Sequence, residues 1–380
     1  MKARNIGMLA AVAILSEGLV SCPSPVRPST TSLPVLYAVF SDGTTGFIAG
    51  YTIDESSGAL TSMGAPVAAG TDTLFAGMAR QGRFLYALNP VSQQVWEFYV
   101  NAQTGVPTPI PSSPLVLAAG SNPAWVQSDS SGFAYLTVQG TSQVSVYSIA
   151  PVTGALTLVT TSPALSFSQV VTVDPAGPFI YVSDNTGAIY CFSVDSSGNL
   201  TAAPGSPYAT PGSDIGMAID PSGSFLYAAD SSTNDISAFS INHATGALSP
   251  LAGSPYVTFG TNPTFLVMDP HGKFLYAMAN GSNTIDAFAI NPSTGALSTV
   301  PGSPVAISGG TAATAPTIDP SGAFLYAGQS FAGPGYNTFH AYAIDQSTGA
   351  LSELAGSPYT IAAAASITGL TSGLVTAPKP

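Results

Sequence analysis

The stretch Asp220–Asp230 reads DPSGSFLYAAD, and close copies begin at Asp269 (DPHGKFLYAMA) and Asp319 (DPSGAFLYAGQ). Its first half has the composition of a type I turn. Asp at the first position accepts backbone N–H groups, Pro at the second has φ preset, and Gly sits at the fourth. Its second half is aromatic and apolar and reads as a strand. The tyrosine of the phrase falls at Tyr37, Tyr86, Tyr135, Tyr181, Tyr227, Tyr276 and Tyr326, in steps of 49, 49, 46, 46, 49 and 50 residues. A second phrase, TGAL or a close variant, places its glycine at Gly58, Gly105, Gly154, Gly198, Gly246, Gly295 and Gly349. Two phrases that stay in step along the chain count seven repeats.

Each repeat holds four strand-like runs. Around Tyr276 they are PTFLVMD (263–269), KFLYAMA (273–279), TIDAFAIN (284–291) and ALSTVPG (296–302), here called A to D. Apolar residues in A, B and C do not alternate cleanly, so both faces of the sheet are predicted to be buried. A connection beginning GSPY follows D, and its Pro is read as the end of the outer strand. Seven units of four antiparallel strands define an all-β fold, the seven-bladed β-propeller. VLYAVF (35–40) is a B strand with no A before it. AAAASITGLTSGLVTA (362–377) matches A, then the turn, then the start of B, so the C-terminal strand is predicted to complete the first blade and close the ring.

Charge narrows the partners. Charged residues make up only 7 % of the 380, the net charge is −12, and there are seven Lys or Arg. A nucleic-acid partner needs a basic footprint that this chain lacks. Lys2 and Arg4 precede the short apolar run IGMLAAVAIL (6–15) and then LVSC, ending at Cys22. This order resembles a bacterial lipoprotein signal. The resemblance implies acylation of Cys22, with plain secretion or an uncleaved anchor as alternatives. The organisation expected is a signal peptide over 1–21, an acylated Cys22 with a Pro- and Ser/Thr-rich spacer over 22–33, and a propeller over 34–378. The chain is then a monomer tethered to the lipid bilayer of the cell envelope.

Chain direction sorts the loops. A–B and C–D turns share one face, and B–C loops and D–A connections share the other, around the mouth of the central channel. Function in such scaffolds collects where variable loops meet a rigid frame. On the mouth side the residues opening strand A read as polar or small: Asp72, Asn122, Asp214 and Asn262. The B–C loops add Asp42, Asn89, Asp184, Asp230 and Asn280. A ring of carboxylates and amides has the chemistry to hold a divalent cation such as Ca²⁺ or a hydroxyl-rich ligand, or simply to cap strand ends. No other cofactor and no metal cluster is indicated. The B–C loop GQSFAGPGYN (328–337) carries Phe331 and Tyr336, which have no match in the other repeats and suit contact with a sugar or an apolar ligand. His243, His271 and His340 fall in turns or a strand and read as structural. Cys191 aligns with alanines and reads as a packing residue. Arg80 and Arg83 flank a turn and read as solvated.

Together DPSGSFLYAAD, NTIDAFAINPSTGALS and LAGSPY resemble the seven-bladed lactonase-family propellers, which include the bacterial 6-phosphogluconolactonase type. The resemblance implies the fold and, as one expectation, lactone hydrolysis by His, Arg and Glu around the channel. Hydrolysis of a phosphorylated sugar lactone needs cations for the substrate and a general base for water. No catalytic residue of that kind can be placed on the mouth of this chain. The leading expectation is therefore a membrane-anchored module that binds a small molecule or an envelope protein, and the alternative is a lactonase-type hydrolase, possible with metal assistance.

Overall fold

The structure, a computed structural model, describes residues 32–42, 44–71, 73–308, 315–328, 338–361 and 366–376. The leader and most of the spacer, Cys22 included, lie outside these. Among the described residues every regular element is a β-strand. The strands form seven antiparallel sheets, one per repeat. Blade 5 shows the plan: A is Asp214–Ile219, B is Phe225–Asp230, C is Asp235–Ile241, and D is split into Leu248–Pro250 and Tyr256–Val257. The A strands of successive blades touch one another around a closed ring: Phe75–Ala79, Pro123–Ser128, Ser168–Val173, Asp214–Ile219, Pro263–Met268, Thr317–Ile318 and Ser366–Val375, which meets Phe75–Ala79 again.

The outer strand does not end at the proline. It breaks at Gly-Ser-Pro and resumes, so that Tyr256 and Val257 pair with Ile236 and Asp235 of strand C. The serine makes the break tolerable, because a buried backbone donor needs an acceptor. Ser254 Oγ accepts the N–H of Ala238 at 2.9 Å. Ser113, Ser206, Ser303 and Ser357 do the same for Glu97, Cys191, Ala287 and Ala341. Blade 3 differs: its outer strand is a single run, Leu156–Thr161.

The ring closes through the C-terminal segment, with one correction to the reading of its sequence. Ser366–Val375 is one continuous A strand rather than A, turn and B. It pairs with Leu33–Ser41 from Leu33↔Val375 to Ser41↔Ser366. The glycines that imitate a turn lie in the ladder, opposite Val39 and Val35. They are there for room: a β-carbon on Gly373 would stand 2.8 Å from Met78 Sδ, and one on Gly369 would stand 3.2 Å from the Phe75 ring.

Apolar side chains form one buried cluster at each of the seven seams between blades. This is the two-sided burial expected from the strand pattern. It also explains why the two repeated phrases keep step. The tyrosine hydroxyl of one blade donates to the carbonyl of the TGAL glycine of the next: Tyr37 to Gly105 (2.5 Å), Tyr86 to Gly154 (2.7 Å), Tyr181 to Gly246 (2.9 Å), Tyr227 to Gly295 (2.7 Å), Tyr276 to Gly349 (2.9 Å) and Tyr326 to Gly58 (3.0 Å). The glycine itself packs on the first residue of the same phrase, a phenylalanine everywhere except at Gly105, which meets Val35 and Met63. A β-carbon on Gly246, which has φ +71°, would stand 2.5 Å from the Phe179 ring. Tyr135 is the exception and donates to Asp129 Oδ2 of its own blade (2.8 Å).

Candidate functional site

The seven A strands enclose a central cavity of about 520 Å³ that reaches the A–B turns at Pro175, Pro221 and Pro270. The fifth position of the FLYA phrase defines one layer of its wall. Phe75 pairs with Leu88, Trp125 with Thr137 and Phe265 with Met278, all at that position. The three rings come from blades 2, 3 and 6 and stack across the channel. Phe75 and Trp125 have centroids 3.9 Å apart at 13°, and Trp125 and Phe265 are 6.2 Å apart at 18°. Small residues elsewhere in the layer make this fit. A β-carbon on Gly216 would stand 2.7 Å from Phe265 Cα. All three rings are half-buried, so part of each remains at the cavity wall. Each of these aromatics lies three residues beyond a polar strand-A opening, Asp72, Asn122 or Asn262. The aromatics stood in the sequence, but only the ring geometry brings them together.

Below the aromatic layer the described wall is mostly uncharged. Gln127, Thr172, Thr317, Thr371 and Ser372 supply its uncharged polar groups. Among the described lining residues Asp269 is the one ionisable side chain, and it serves its own turn. Its carboxylate accepts the N–H groups of His271 (3.0 Å), Lys273 (2.6 Å) and Phe274 (2.6 Å).

The described mouth residues mostly serve their own loops. Asn122 and Asn262 are exposed and hold left-handed backbone at φ +47° and +54°, a conformation asparagine tolerates. Asp184 is buried, and its Oδ1 accepts from Thr186 N, Thr186 Oγ1 and Ala188 N within its own loop. Asp42 does likewise with Thr44 and Thr45. Asn89 ties its loop to Ala69 O at 2.8 Å. Asn280 donates its backbone N–H to Asn262 O. Asp230 is fully buried and faces a second carboxylate, Asp235, directly across its hairpin. Asp214 stands in register with Asp230 on the neighbouring strand. Asp72, Phe331 and Tyr336 lie outside the described residues. Among the described residues no three His, Cys, Asp or Glu converge as a metal cluster.

The described cations, Arg80, Arg83 and Lys273, are not among the channel-lining residues. Arg80 is half-buried rather than solvated: its Nη2 reaches into blade 3 and donates to Ile149 O at 3.0 Å. Arg83 stacks over Phe84 at 5.4 Å and is likewise half-buried. His243 and His271 are exposed on turns. His340 is buried and shares its Nδ1 with Glu353 Oε1 at 2.7 Å. Cys191 is fully buried, and burial pushes its thiol up to about 12, so the thiolate needed for nucleophilic attack is absent at neutral pH.

Fold and cavity together define a seven-bladed β-propeller whose described channel wall carries three aromatic rings and one carboxylate, Asp269. Residues 212–312, which span blades 5 and 6, match the family model described as Lactonase, 7-bladed beta-propeller. A 6-phosphogluconolactonase of Pectobacterium carotovorum is 32% identical over 129 residues, covering 32% of this chain and 38% of that protein. The match thus spans well under half of the curated relative. Among solved structures, the periplasmic gluconolactonase of Pseudomonas aeruginosa has a TM-score of 0.75 at 16% identity, covering 91% of this chain and 100% of that one. A protein from Lactobacillus plantarum has a TM-score of 0.72 at 20% identity over 90% of this chain and 99% of its own. Virginiamycin B lyase of Staphylococcus aureus has a TM-score of 0.52 at 14% identity, covering 77% of this chain and 90% of that one, so the architecture extends to a lyase. At these identities the likeness concerns the fold alone.

Proposed function

We propose that this lactonase-type propeller is a binding module for a small uncharged ring, such as a sugar or a neutral lactone, held in the central channel. The observation that carries the reading is the aromatic layer of Phe75, Trp125 and Phe265 above a wall of neutral polar groups. Half-buried rings offer an apolar platform, and a few amides and hydroxyls fix orientation. The leader and LVSC at Cys22 support display of the module at the cell envelope. A phosphorylated lactone is a poor fit, because the described wall has no cation to meet its phosphate. The second reading is a lactonase-type hydrolase, favoured by the match of residues 212–312 and by the curated relative.

Titration with neutral sugars and lactones, read by tryptophan fluorescence and calorimetry, tests the first reading. Binding should weaken about tenfold or more in Trp125→Ala, since a well-placed aromatic contributes on the order of 1–2 kcal/mol. Saturable hydrolysis of glucono-1,5-lactone or its 6-phosphate above the spontaneous rate would replace the binding reading with the hydrolase.

A further inference from the structure

Below the aromatic layer the channel cavity runs on into a branch of about 590 Å³ beside the A–B turns of blades 2, 6 and 7. The two spaces share wall residues, among them Met78, Val267, Met268 and Thr317, and are therefore contiguous. Met78 and Met268 stand three residues along strand A from Phe75 and Phe265, about 10 Å at the rise of a strand. A ring held on the aromatic layer thus has a path from its lower edge to the two methionines.

The polar groups of the branch are already occupied. Ser372 Oγ donates to Ile318 O at 2.6 Å, and Thr317 Oγ1 lies 2.7 Å from Ser372 Oγ. Thr376 Oγ1 donates to Gln81 Oε1 at 3.3 Å. The Asp319 carboxylate accepts the N–H groups of Ser321 (2.9 Å) and Phe324 (2.7 Å) and the Ser321 hydroxyl. Every side-chain oxygen of the described branch wall therefore has a partner inside the protein. What remains is apolar surface: Met78, Val267 and Met268 are half-buried, and Leu374 is exposed. A ligand gains little by bringing a hydroxyl or a charge into such a space, because the group loses water and finds no free partner. It gains transfer free energy for each methylene it buries there. Methionine is unbranched and adapts to a flexible chain.

We propose that the ligand is a neutral ring carrying an unbranched alkyl chain, with the ring on the aromatic layer and the chain in the branch formed by Met78, Met268 and Leu374. The inference rests on the channel reading above and narrows its ligand class: the ring supplies the stacking surface, and the chain points to the A–B turn face.

Methyl, butyl and hexyl β-D-glucosides, and five-membered lactones bearing the same alkyl groups, are titrated into the full chain below the concentration at which they form micelles. Binding is read by calorimetry and tryptophan fluorescence. In the series that binds, each methylene entering the branch should tighten binding about fourfold, so the hexyl compound should exceed the methyl compound by at least about tenfold. Leu374→Asn and, separately, Met268→Gln should each lower the hexyl-to-methyl affinity ratio by about threefold or more. Leu374 is exposed, so its variant tests the branch without disturbing a core position. Trp125→Ala should weaken both compounds and leave their ratio as it is, because it acts on the ring. Equal affinity for methyl and hexyl compounds, or a ratio that survives in both folded branch variants, overturns the inference and leaves the channel reading standing. Failure of every compound in both series to bind overturns the channel reading and this inference with it.

Discussion

The seam between blades 3 and 4 and the six other seams are built from the same phrases and differ in one bond. At the six, a tyrosine hydroxyl crosses from each blade to the next glycine carbonyl. Between blades 3 and 4 the glycine is still in place: Gly198 has φ +86°, and a β-carbon on it would stand 2.8 Å from the Phe133 ring. Tyr135, however, turns to Asp129, and a cleft of about 830 Å³ lies there, bordered by Asp129, Tyr135, Asp174 and Asp195. The repeat therefore contains two separable devices. Steric seating of glycine on the first residue of the phrase, phenylalanine at every seam but that of Gly105 on Val35, is common to both kinds of seam, and the hydrogen bond is what tightens the six.

The comparison can be broken at four levels. Removing residues 362–380 takes away the strand that completes blade 1 and exposes the edge of Leu33–Ser41. This should have the largest effect, with loss of a cooperative melt and aggregation seen by light scattering. A monomer with unchanged Tm would refute the closure argument. Next, Gly246→Ala meets both a left-handed φ and the Phe179 ring, and should cost about 3 kcal/mol by chemical denaturation. Gly198→Ala, in the looser seam, should cost about 2 kcal/mol. Equal costs would mean that the seams are equally tight. Third, Tyr227→Phe strands the buried Gly295 carbonyl and should cost about 1–2 kcal/mol. Tyr135→Phe should cost less, under about 1 kcal/mol, because the half-buried Asp129 can recover its hydrogen bond from water in the adjoining cleft. The smallest effect is dynamic. Amide exchange in Phe133–Val138 should be faster than in Phe225–Asp230 under native conditions, and the reverse order would sink the ranking of seams.

The blade 5 corner adds a pH test of a different kind. The Asp235 carboxyl is raised from 3.8 to about 6, first by burial and then by Asp230. The folded state thus holds this proton more tightly than the unfolded chain does. The stability this contributes is full below about pH 4 and is lost as pH rises through about 6. Melting of Asp235→Asn should show a flatter decline over that interval than wild type.

Much of the fold was legible because the repeat is physical. Asp-Pro-Ser-Gly, the FLYA tyrosine and the TGAL glycine each mark a fixed position in the blade, and their count gives the number of blades. Two details were not legible. The outer strand resumes after Pro255 because Ser254 supplies an acceptor, and nothing in GSPY alone shows that a strand continues. Strand Ser366–Val375 contains glycines that read as a turn until Phe75 and Met78 are seen to need the space. The site was less legible than the fold. Phe75, Trp125 and Phe265 are up to 190 residues apart and become neighbours only when the ring brings blade 6 across from blades 2 and 3. Asp230 was singled out as a mouth residue, but its pairing with Asp235 follows from hairpin register rather than from residue type.

The bond from Tyr326 to Gly58 joins residues 268 positions apart, and the sheet of blade 1 waits for Ser366–Val375. On a ribosome, blade 1 is thus the earliest sheet to emerge and the latest to be finished. Throughout synthesis the strand Leu33–Ser41 stays an open edge with eight buried-type residues in succession. The growing chain is most vulnerable to strand pairing with its neighbours at the point where the finished ring has no edge at all.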